Sequence, residues 1–93
     1  KHEYILSKQL LRSGTSIGAN VKEAIRGQSK DDFIHKLNIS LKEASESEYW
    51  IELLFETDYI TKQQFDSLIG DCRELIKLLT SIIKTSRKEG KLI

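Results

Sequence analysis

The sequence predicts an all-α fold, an antiparallel up-down helical bundle, on three observations. Apolar residues recur at spacings of three and four along almost the whole chain, and no segment alternates with period two for long enough to form a strand. Helix start signals also stand where the periodic runs begin. With 39% hydrophobic and 31% charged residues and no proline, the composition suits a soluble helical protein and is too mixed in charge for a disordered one. Ninety-three residues make one domain, 1–93, near the size at which a single core barely suffices, so oligomerisation would add stability.

The first helix is expected at about 4–26. Leu10, Gly14, Ile17, Val21 and Ala24 form one stripe, and Leu11, Gly18 and Ile25 form a second, seven apart, beside it. Gly14 and Gly18 each cost about 1 kcal/mol of helix propensity relative to alanine. Retaining them points to close packing, in which the missing side chains let another backbone approach. Gly27 suits a C-terminal cap. Ser29 opens the second helix, expected at 30–56, with Asp31 and Asp32 in its first turn. Its seam runs Ile34, Leu37, Leu41, Ala44, Glu48, Ile51 and Phe55, so Glu48 is a carboxylate at a core position and requires a partner. Arg12 and Asn20 on the first helix are the expected partners, forming with Glu48 a buried polar network of structural role. The short link Thr57 to Ile60 makes the next helix an antiparallel neighbour. Thr61 and Gln64 form a capping box with Ile60 and Phe65 at the staple positions. The third helix then spans about 62–88, its apolar face running from Phe65 to Ile83 and Gly90 ending it.

Motifs for catalysis and metal binding fail on context. Gly14-Thr15-Ser16-Ile17-Gly18 matches the hydrolase elbow G-x-S-x-G, which works only at a strand-to-helix turn on a large sheet with a later acid and histidine. Here the flanks are helical. Asp32 and His35 share a helix face, but a di-iron bundle needs two Glu-x-x-His pairs and further glutamates. The Asn38-Ile39-Ser40 sequon falls mid-helix, and the lone Cys72 fits the core face. No catalytic residue, cofactor or metal ligand is therefore expected. One cysteine, no secretory core and no membrane-length apolar run lead to a cytoplasmic expectation without membrane association.

Charge is segregated. Residues 1–30 carry a net +4, residues 31–72 a net −7 and residues 73–93 a net +4. Helices of opposite sign lying side by side explain this pattern, and the functional alternative is a basic surface for RNA or DNA. Lys77, Lys84, Arg87 and Lys88 are the candidate nucleic-acid surface, although cations near a helix C-terminus also suit the helix dipole. The aromatic residues do not interleave with them as a stacking platform would.

With these stretches in view, the chain resembles the four-helix-bundle proteins of the ribosomal RNA intervening-sequence family. The likeness rests on QLLRSGTSIGANVKEAIRG, on SKDDFIHKLNISLKEASESEYWIELL and on the YIT link before a long apolar-faced helix. Members are small helical proteins encoded in insertions of large-subunit ribosomal RNA genes or elsewhere in bacterial genomes. Similar proteins serve as accessory factors of diversity-generating retroelements. The resemblance implies a homo-oligomer, a pentamer, with Arg12, Ser16, Asn20, Glu23 and Glu48 at the family's polar positions and no catalytic residue to carry over. It also implies a further amphipathic helix before Lys1, so that three of four helices are visible here. The expected function is a non-enzymatic oligomeric scaffold or accessory protein for a nucleic-acid-processing partner. Direct nucleic-acid binding by the basic surfaces of the assembled oligomer is the alternative.

Overall fold

Three helices account for nearly all of the chain in the computed structural model, which describes the backbone of residues 2–27 and 29–92 and the side chains of 4–27 and 29–88. They are α1 (His2–Arg26), α2 (Lys30–Glu56) and α3 (Lys62–Leu92), and the described residues contain no strand. The second helix begins where its cap dictates: the Ser29 hydroxyl accepts from the Asp32 amide at 3.0 Å. At the α2–α3 link the Thr61 amide donates to Gln64 Oε1 at 2.8 Å, and the Gln64 amide donates back to Thr61 Oγ1 at 3.1 Å. This reciprocal box starts α3 at the expected residue. Asp58 takes a φ of 65°, which turns the chain between the two helices.

Two ends differ from the sequence reading. Helix α3 continues through Gly90 to Leu92, so that glycine does not terminate it. Gly27 accepts no left-handed conformation; a Cβ there would lie 3.2 Å from the Ala24 carbonyl oxygen, and close approach is what favours glycine.

Residues that meet run in opposite order along neighbouring helices. Arg12 meets Glu46, Ile17 meets Ser40 and Glu23 meets Lys36, while Phe55 stacks on Phe65 and Glu48 meets Arg73. Each successive pair is therefore antiparallel. Helix α2 lies between the other two, and among the described residues no Cα of α1 comes within 8 Å of one in α3. The Cα radius of gyration is 15.1 Å, against about 12 Å for a compact chain of this length. One side of the arrangement is open.

Small residues make the closest seam. Ser13, Ser40 and Ala44 are fully enclosed, Ala24 and Ser47 nearly so, and the Ser40 hydroxyl donates to the Ile17 carbonyl at 3.0 Å. The small-residue seam of α1 is thus Ser13 and Ala24, not Gly14 and Gly18. A Cβ built on either glycine meets nothing within 4 Å, because both point away from α2. Among the described residues the expected close packing at the two glycines is absent.

Candidate interaction surfaces

The expected polar network divides into two ion clusters. Arg12 does not meet Glu48: its Nη2 donates to Glu46 Oε1 at 3.1 Å and its Nη1 to Glu43 Oε2 at 3.5 Å, with Nε on Gln9 at 3.2 Å. Ser16 donates to the same Glu43 oxygen at 3.3 Å, and Asn20 donates back to the Ser16 carbonyl at 2.9 Å. Glu48 instead accepts from Arg73 Nε at 2.8 Å, with Glu52 at 3.8 Å from the same guanidinium. The reason is helical phase. Glu48 follows Glu43 by five residues, about 140° around the helix, which carries it from the α1 flank to the α3 flank.

Neither cluster is buried in the expected sense, since the Arg12 and Arg73 side chains are about half exposed. Glu43 is the most enclosed member, and its Oε1 has no partner among the described residues. Sequence reasoning missed Glu43 and Glu46. Their spacing of three on a flank shared with Trp50 was the available signal.

The open side forms a slot between α1 and α3 of about 610 Å³. Leu10, Leu11, Gly14 and Ile17 line it from one side, Leu68 and Leu75 from the other, with Ile51 and Cys72 at its floor. The second stripe of α1 remains uncovered: Leu11 is 72% and Ile25 74% exposed. Cys72 is buried and donates to the Ala44 carbonyl at 3.2 Å. Burial pushes its thiol up from the ordinary 9.0; the Glu48 carboxylate acts in the same direction and Arg73 opposes both. A thiol so placed stays protonated and is a poor nucleophile.

A second groove of about 490 Å³ lies between α2 and the end of α3. Leu41 and Ile83 provide aliphatic walls, Asn38 and Thr80 polar ones, and Lys84, Arg87 and Lys88 are gathered at it. Lys77 is exposed one turn before Thr80 and does not line the groove. No aromatic side chain lines it either. Among the described residues no cluster of His, Cys, Asp and Glu could hold a metal ion, and no helix is long and apolar enough to cross a membrane.

Comparison with known proteins places this arrangement. The family model for the 23S rRNA-intervening sequence protein matches residues 1–81. The chain belongs to that family. A solved crystal structure, that of a protein of unknown function from the S23 ribosomal protein family, from Bacteroides thetaiotaomicron, is 62% identical with a TM-score of 0.84. The match covers 86% of this chain and 71% of that one. No curated protein matches the chain. Family membership agrees with the resemblance drawn from the α1 and α2 motifs.

Proposed function

We propose that this intervening-sequence protein is a non-catalytic scaffold that works as a homo-oligomer, with one further helix lying in the α1–α3 slot to complete a four-helix bundle. The observation that carries this reading is the uncovered apolar stripe beside Gly14 and Gly18. Two glycines inside a helix lower its stability, and no neighbour within the chain requires them. Their retention is explained when another helix crosses α1 there at short range. The slot supports the same reading, being apolar on both walls and open along one side.

Gly14→Leu and Gly18→Leu test the reading directly. Both should preserve the helical circular dichroism of the chain, because a Cβ at either position meets no atom within 4 Å and each lies on the exposed side of α1. Both should lower the mass measured by light scattering, because overpacking at a helix crossing is destabilising. A wild-type monomer at micromolar concentration, or unchanged mass in both variants, would count against it.

A further inference from the structure

The polar atoms of the groove between α2 and the end of α3 have a defined sense. Asn38 donates through Nδ2 to the Ile34 carbonyl at 3.1 Å, and Thr80 donates its hydroxyl proton to the Ile76 carbonyl at 2.7 Å. This leaves Asn38 Oδ1 and Thr80 Oγ1 as acceptors in the groove wall. Lys84, Arg87 and Lys88, at spacings of three and four on α3, line the same groove and join no ion pair among the described residues. The reason is what α2 places opposite them. Arg73, seven residues before Thr80 and on the same side of α3, meets Glu48 and Glu52, but at the groove α2 presents Asn38 and Leu41 instead. Leu41 and Ile83 make the remaining walls aliphatic. An occupant must therefore bring carboxylates for the cations, an aliphatic side chain for the walls and N–H donors for the two acceptors.

We propose that this groove receives a short, extended, acidic segment of a partner protein, in which aliphatic residues alternate with carboxylates. An extended chain keeps its backbone N–H groups free to donate, whereas the middle of a helix has spent them. Its side chains point alternately to opposite sides, so the aliphatic ones enter between Leu41 and Ile83 while the carboxylates stay at the rim. There the long side chains of Lys84, Arg87 and Lys88 reach them. From Thr80 to Lys88 the α3 wall rises about 12 Å, which about four extended residues span. A groove of 490 Å³ suits such a linear segment better than a folded surface. The phosphates of a nucleic acid answer the cations but bring only acceptors to Asn38 Oδ1 and Thr80 Oγ1, and no aromatic side chain lines the groove to stack a base. The proposal deepens the scaffold reading above by giving the chemistry of what is held. It uses neither the α1–α3 slot nor a contact between copies.

The test uses the full chain and three fluorescein-labelled probes: a short peptide of alternating leucine and glutamate, the same peptide with serine for leucine, and an oligouridylate of matching charge. Binding is followed by fluorescence anisotropy across a salt series. The leucine peptide should bind, more weakly as salt rises, and the serine peptide should bind at least about tenfold more weakly than it. Lys84→Glu with Arg87→Glu should weaken the leucine peptide by at least about tenfold. Thr80→Val, which removes an acceptor without changing charge, should weaken it by about two- to tenfold. Circular dichroism confirms that each variant is folded; if the double inversion is not, Lys84→Gln with Arg87→Gln replaces it and should act in the same direction. Equal binding of the two peptides, undiminished binding to either variant, or no binding at millimolar peptide overturns the proposal. Tighter binding of the oligouridylate, with displacement of the peptide, assigns the groove to nucleic acid and overturns it as well. Light scattering on the same samples keeps the two readings apart: an oligomer that binds no peptide fails this proposal alone, and a monomer that binds it fails only the oligomeric one.

Discussion

Arg12 and Glu48 show how a single residue's partner depends on helical phase. Both look like members of one buried network in the sequence, yet Arg12 answers Glu43 and Glu46 on one flank of α2 while Glu48 answers Arg73 on the other. A double-mutant cycle on Arg12 and Glu46 by urea unfolding should give a coupling of about 0.2–1 kcal/mol, the range of exposed ion pairs. The same cycle on Arg12 and Glu48 should give none. Cys72 gives a pH-dependent outcome. Its thiol pKa is raised in the fold above the unfolded value, so the stability it contributes is present below about pH 9 and is lost as pH climbs through the folded pKa. Denaturation across pH 8 to 10.5 should show the decline, and Cys72→Ala should reduce it.

At the scale of the element, boundaries follow from local chemistry and are well determined. Ser29 and the Thr61–Gln64 box start α2 and α3 at Lys30 and Lys62, where the capping signals put them. Thr61→Ala should lower stability by roughly 0.5–2 kcal/mol through loss of the cap, measured by thermal unfolding, with the helical content of the folded state unchanged. Helix ends marked only by glycine were less legible. Gly90 sits inside α3, since a glycine terminates a helix only when the backbone leaves the helical region, and its mere presence does not force that. The stripes were legible as stripes but not as interfaces. The seam that α2 buries against α1 uses Ser40 and Ser47 beside the expected Ala44, and the two serines are residues that an apolar-periodicity reading of Ile34 to Phe55 passes over.

For the whole molecule, the decisive feature is that α2 alone touches both neighbours. Its backbone is covered on two sides, while α1 and α3 each have an open face. Native-state hydrogen exchange should accordingly find the slowest amides in the middle of α2, around Ser40 to Ile51, with the middle of α1 exchanging faster. Equal protection of all three helices in a verified monomer would contradict this ordering. Charge also acquires its meaning at this scale. Successive antiparallel helices make an elongated body 50 Å long, in which the acidic α2 lies along the basic α1 and the basic last turns of α3 lie beside the start of α2. The side-by-side pairing expected from the charge pattern is realised locally by Arg12 and Arg73, while Lys84, Arg87 and Lys88 are left free of ion pairs among the described residues.

The sequence by itself determined the class of fold, the starts of α2 and α3, and the family, since periodicity, caps and the α1 and α2 motifs are local properties of the chain. Only the tertiary structure decided what each stripe meets. It assigned Arg12 and Glu48 to different partners, moved the close seam from Gly14 and Gly18 to Ser13 and Ala24, and left Gly14 beside an open slot with Gly18 exposed one turn on. The physical reason is that helical spacing places residues on a common face, while the angles between helices decide which faces meet, and those angles follow from contacts far apart in the chain.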